Sequence, residues 1–198
     1  VTVQVHGGPS SSSSSTFTTG LFDEKDWGGA AFIGHHEKTE YNWTKGGLAP
    51  WFRSPTFSMQ KKHRSALLYV ATVGFCEVTV NGQKAVEEEV LSPSISYLPS
   101  RVLYRVYNVT ALLRASGPNV IGLWASPGWS EYFSFSDGRG TSWAQAPMLR
   151  SVLKVDGAIL AATDASWWTR QSTTQRLGDW GQGGFGGDAV DLRRDIPG

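Results

Sequence analysis

A single cysteine, Cys76, stands in 198 residues, so an internal disulfide is excluded and the fold must be held by its core. Charge is also scarce. Charged side chains make up 18% of the chain and the formal net charge is +1, which leaves no electrostatic footprint for a nucleic acid or an anionic membrane. The one cationic run, Lys61-Lys62-His63-Arg64, reads as a solvated strand start or hairpin tip. No apolar run approaches the about 20 residues that a membrane helix requires. The run "ALLYVATVGF" (66–75) is about half that length and reads as a buried strand. Helical periodicity is nearly absent: only "NVTALLRASG" (108–117), opened by Asn108 or Thr110 and stopped by Gly117-Pro118, predicts a helical turn or two. The opening "VTVQVHGG" has no charged leader and apolar signal core, and a signal peptide removed upstream is the expectation.

What the chain does have is glycine, 23 residues, and nine tryptophans, a composition of loops and tight turns with large flat side chains. Aromatic faces beside glycine-rich loops suit sugar rings, whose axial C–H bonds pack on a π surface. Most of the tryptophans are nonetheless expected in the core, because each buries a large apolar area. The sequons Asn42-Trp43-Thr44 and Asn108-Val109-Thr110 point to an extracellular, secreted protein.

Residues 1–22 divide from the rest: Val1, Val3 and Val5 alternate as in a strand, and Pro9 with the serine run 10–15 reads as a flexible connection. The expectation is the remnant of a preceding domain plus a linker over 1–22 and one domain over 23–198. Within the latter, extended runs recur at 50–59, 64–75, 76–82, 101–110, 119–126, 148–157 and 160–170, with turn signals between them. Many short strands without βαβ alternation predict an all-β, two-sheet antiparallel sandwich. Asn81-Gly82 predicts a two-residue hairpin turn with positive φ.

Three stretches carry a more specific likeness. The first, 74–113, contains Gly74-Phe75, Asn81-Gly82, an acidic residue before Val90-Leu91-Ser92-Pro93, Tyr97, Arg101-Val102-Leu103-Tyr104 and Asn108-Val109-Thr110-Ala111-Leu112-Leu113. The second is "GPNVIGLWASPGWSEY" (117–132), and the third is "FGGDAVDLRRDIPG" (185–198), with Asp188, Asp191 and Arg193 in charged positions. Taken in order, these resemble the N-terminal β-sandwich module of α-L-rhamnosidases, glycoside hydrolase family 78. The resemblance implies a jelly roll of the galactose-binding-like kind, related to carbohydrate-binding module family 67, that binds L-rhamnose or a rhamnose-bearing glycan with help from calcium. It also implies that hydrolysis belongs to an (α/α)6 barrel C-terminal to the module. No stretch of this chain resembles that barrel, so a non-catalytic segment is expected, with a catalytic domain in a longer chain as its partner.

The same resemblance bears on Glu87-Glu88-Glu89, three like charges running into Val90-Leu91. In calcium-binding members an acidic or amide pair before the Val-Leu step contacts cation and sugar, which makes Glu88 and Glu89 the candidate metal ligands. The alternative is an edge kept from aggregating by like charges. The expected sugar contacts are Asn81, Glu88 and Glu89, with Trp129, Tyr132, Asp137 and Trp143 from the long loop 127–143. His35-His36 lack a cysteine partner or a suitably spaced histidine pair and read as loop. Asp188 and Asp191, three apart in an extended segment, fall on opposite faces, which disfavours shared chemistry. Gly183, Gly184, Gly186 and Gly187 are followed by no Lys-Ser/Thr pair, and Cys76 reads as core. Three functions stay open on this reading: a sugar-binding module, a docking module without a sugar site, and a self-sufficient glycosidase or lyase on a β-sandwich.

Overall fold

The computed structural model describes residues 2–4, 8, 10–15, 17–36, 49–59, 61–94, 96–98, 100–131, 147–181 and 184–194. Its strands are β1 (Thr2–Gln4), β2 (Ser10–Ser12), β3 (Ile33–Gly34), β4 (Pro50–Arg53), β5 (Phe57–Ser58), β6 (Ala66–Val73), β7 (Phe75–Val80) and β8 (Gln83–Lys84). They continue as β9 (Tyr104–Asn108), β10 (Pro118–Asn119), β11 (Ile121–Ser126), β12 (Met148–Val155), β13 (Ala158–Ala162), β14 (Trp168–Gln171), β15 (Thr174–Gly181) and β16 (Gly184–Val190). Two five-stranded antiparallel sheets form the sandwich. The first runs β14-β4-β11-β7-β8; the second runs β13-β12-β6-β9, with β3 also paired to β12. Among the described residues no helix is long and apolar enough to cross a membrane.

Alternation explains the core. Strands β7 and β11 bury every second residue, so Cys76, Val78 and Val80 meet Ile121, Leu123 and Ala125 on the inner face. Leu68, Val70, Leu149, Leu153, Tyr107 and Val109 close the core from the second sheet. Strand β6 is buried along nearly its whole length, as its continuous apolar run predicts, because both its faces are covered. The outward cover is residues 21–30. Trp27 and Ala30 pack on Tyr69, Ala71 and Val152, and Leu21 donates its N–H to the Tyr104 hydroxyl at 2.7 Å. Arg150, buried on the same face, lies 4.7 Å from the Trp27 ring and pairs with Glu24.

The Asn81-Gly82 turn is present, with φ of 54° and 81°, the two positive values that a primed hairpin turn needs. Three local expectations end differently. Residues 108–117 form no helix: Asn108 Oδ1 accepts from the Thr110 N–H and hydroxyl, and the Asn119 side chain binds the Arg114 N–H and carbonyl at 2.8 and 3.0 Å. These side-chain bonds offer the backbone an alternative to helical pairing. The run 160–170 is two strands in opposite sheets, because Asp164 accepts from the Ser166 N–H and turns the chain between β13 and β14. Part of the serine run is itself extended, Ser10–Ser12 pairing with Thr2–Gln4 as a ribbon.

Candidate functional site

The outer face of the first sheet follows from its register. Residues two apart share a face, so Phe75, Glu77 and Thr79 of β7 stand beside Ser126, Trp124 and Gly122 of β11. On the other side of β11, Trp51 neighbours Trp124 and Arg53 neighbours Gly122. The Trp51 and Trp124 rings stack at 4.9 Å with an interplanar angle of 10°, and the Trp124 indole N–H donates to the Ala49 carbonyl at 3.1 Å. Trp124 is thereby held from two directions and keeps one orientation.

Beside it, between β7 and the segment that follows the β7–β8 hairpin, opens a cavity of about 350 Å³. Its walls combine three aromatics, Phe75, Tyr107 and Trp124, with three carboxylates, Glu77, Glu89 and Asp188. Val86 and Leu91 add an apolar edge, 46% and 70% exposed. Gly128 forms part of the rim at φ 50°, and a Cβ there would run into the Phe75 ring, so only glycine fits. Lys84 balances Glu77 at 3.0 Å, and Arg105 of the second sheet balances Glu89 at 2.7 Å. Burial pushes the Tyr107 hydroxyl well above its ordinary range, and the neighbouring Glu89 charge adds to that. Burial likewise lifts the Cys76 thiol to about 12, which makes it an inert wall.

The three glutamates therefore divide. Glu87 and Glu88 are exposed in a turn, whereas the Glu89 side chain is 14% exposed, pairs with Arg105 of the second sheet and reaches the cavity. Calcium wants six to eight oxygen ligands. Among the described residues no three His, Cys, Asp or Glu side chains gather as a metal site, and Glu89 already faces a guanidinium. Glu88, exposed, and Glu89, paired with Arg105, thus stand in different surroundings.

Asn81 does not face the cavity. Its carboxamide donates to the Leu112 carbonyl and to Asn119 Oδ1 at 2.8 and 2.9 Å, and accepts from the Val120 N–H at 3.0 Å, so it is engaged in holding the turn. The Trp129 backbone lies on the 3-10 turn Gly128–Glu131, but its side chain lies outside the described residues, as do Tyr132, Asp137 and Trp143. His35 Nδ1 lies 2.5 Å from Thr169 Oγ1, a contact within the fold. Asp188 reaches the cavity, while Asp191 pairs with Arg193 at 2.7 Å, so the two aspartates go separate ways. Phe75, Glu77, Tyr107 and Trp124 were missed in the sequence. The outward parity of Phe75 and Glu77 was visible, but their meeting with Trp124 depends on strand register.

Fold and cavity define a two-sheet antiparallel β-sandwich with an aromatic, carboxylate-lined pocket on one side. The family model for the alpha-L-rhamnosidase N-terminal domain matches residues 61–198. This chain belongs to that family. It is 29% identical over 147 residues to an alpha-L-rhamnosidase of Formosa agariphila, covering 66% of this chain and 14% of that protein. The alpha-L-rhamnosidase of Dictyoglumus thermophilum superposes with a TM-score of 0.69 at 27% identity, over 91% of this chain and 20% of the other. A Streptomyces avermitilis alpha-L-rhamnosidase, solved complexed with L-rhamnose, superposes with a TM-score of 0.61 at 25% identity, over 76% of this chain and 14% of the other. The chain thus spans under a quarter of the length of each of these proteins.

Proposed function

We propose that this chain is a non-catalytic, extracellular module that holds an L-rhamnose residue of a glycan for a catalytic domain in a longer chain. The observation that carries this is the cavity: three aromatics and three carboxylates around about 350 Å³, room for a monosaccharide and little more. Rhamnose is a 6-deoxy sugar, with one apolar corner and a row of hydroxyls. The ring C–H bonds pack on Trp124 and Phe75, the methyl meets Leu91 and Val86, and the hydroxyls donate to Glu89 and Asp188. The rhamnose complex of the Streptomyces relative gives the sugar its identity in this reading. One monosaccharide makes few contacts, so the dissociation constant is expected at roughly 0.1–1 mM, or about −4 to −5.5 kcal/mol.

Calorimetric titration tests this, with L-rhamnose against L-mannose, which differs by a 6-hydroxyl, in EDTA and again in calcium. Expected are binding of rhamnose in both buffers, weaker binding of mannose, and loss of binding in Asp188→Ala and Glu89→Gln. A docking module without a sugar site is the second reading, favoured by Val90 and Leu91 standing 77% and 70% exposed beside the cavity. No heat with either sugar at 10-fold the expected constant would establish it, and turnover of an aryl rhamnoside by the chain alone would overturn both.

A further inference from the structure

Strands β14 and β4 extend the outer face of the first sheet beyond the cavity, and their register sets out two rows. One row reads Arg170, Trp51, Trp124, Glu77; the next reads Trp168, Arg53, Gly122, Thr79. Trp51 is 38% and Trp168 56% exposed, a large apolar area for a sheet to leave in water. The Arg53 guanidinium lies 5.0 Å from the Trp168 ring centre, and no carboxylate among the described residues pairs with it. Gly122, between Arg53 and Thr79, is overlain by the Thr79 side chain, whose hydroxyl donates to the Gly122 carbonyl at 3.1 Å and would stand 2.6 Å from a Cβ there.

Trp124 joins this face to the cavity, since it both lines the cavity and stacks on Trp51. Arg53 is the diagonal neighbour of Trp124 across the β11–β4 pair, a separation of roughly 7–8 Å. That is the reach from one sugar ring to a substituent on the next. We propose that this face is a second sugar subsite, and that it takes an acidic residue: a uronate linked to the rhamnose in the cavity, its carboxylate held by the Arg53 fork and its ring against Trp51 and Trp168. The charge balance favours this occupant. Glu77 at the cavity side is already matched by Lys84, whereas Arg53, stiffened over Trp168, presents the planar donors that carboxylates accept. This subsite rests on the rhamnose reading of the cavity.

Titration calorimetry separates the two. The probes are L-rhamnose, a glucuronosyl-rhamnose disaccharide, and the same disaccharide with its carboxylate reduced to the alcohol, at two salt concentrations. The uronosyl disaccharide is expected to bind about tenfold tighter than rhamnose, and that gain is expected to shrink with salt and to vanish in the reduced sugar. Arg53→Gln and Trp168→Ala should abolish the gain and leave rhamnose binding unchanged, while Arg53→Lys, which keeps charge without the fork, should retain part of it. Equal binding of charged and reduced disaccharides, or a gain indifferent to both variants, overturns the subsite. A disaccharide that binds while rhamnose alone does not would keep the subsite and sink the cavity reading. Sedimentation showing a dimer that Trp168→Ala dissociates would give this face to a second copy and overturn the proposal.

Discussion

On the outer face of the second sheet, Trp27 is 9% exposed, roofed by its own segment and pressed by Arg150. On the outer face of the first sheet, Trp51 and Trp168 remain 38% and 56% exposed, and Trp124 walls a cavity. The side chains are the same, but Trp27 belongs to the covering segment and Trp51, Trp124 and Trp168 to strands. What differs is the cover: residues 21–30 close one face with an apolar segment, and among the described residues no equivalent segment packs over the other. A tryptophan in this molecule is buried where its segment packs it onto a sheet, and exposed where it stands on a sheet face left open. The asymmetry leaves exposed tryptophans on one side of a sandwich whose core is shared.

The largest test of that difference is Trp27→Ala, which removes the centre of the covered face. It is expected to cost about 3–5 kcal/mol in denaturant unfolding. Trp168→Ala on the open face should cost no more than about 0.5 kcal/mol. Equal costs would erase the distinction. Next is Asn81→Ala at the hairpin, which removes bonds to Leu112, Asn119 and Val120 and puts alanine at φ 54°. About 1–3 kcal/mol of lost stability is expected, with rhamnose binding unchanged, because this side chain serves the fold. Lost binding without lost stability would return Asn81 to the site.

The smallest expected effect is in acid. The Arg150 guanidinium holds the Glu24 carboxyl below its ordinary range, and the N–H groups of Asp23 and Phe22 do the same for Asp26. A carboxylate whose folded pKa is depressed stabilises above its unfolded value and loses that contribution as pH falls through the folded one. Both belong to the 3-10 turn that carries Trp27, so acid should loosen the covered face first. Melting temperature should stay level from neutral pH to about 5 and fall below about 4, and Glu24→Gln with Asp26→Asn should flatten the fall. A decline that begins above pH 6 would point to other groups.

Much of the scaffold was legible because its signals are local. Alternation in β7, the apolar run of β6 and the Asn81-Gly82 turn each follow from a few adjacent residues. The acidic triplet was half legible: likeness to the family drew attention to Glu88 and Glu89, but only Glu89 lines the cavity, and it is set apart from Glu88 by Arg105, a residue distant in sequence. The helical signal at 108–117 failed because Asn119 supplies side-chain bonds to that turn from outside the predicted window. Trp124 was indistinguishable in sequence from Trp27. Register and cover decide between them, and both are long-range properties.

The most direct test follows the indole N–H resonances in a two-dimensional ¹H–¹⁵N spectrum while L-rhamnose is added to saturation. The account predicts that the Trp124 resonance moves, with a smaller response at Trp51 stacked on it, while buried Trp27 and Trp167 stay fixed. Movement at Trp27 or Trp167 with Trp124 unmoved, or no movement at any indole, would contradict it.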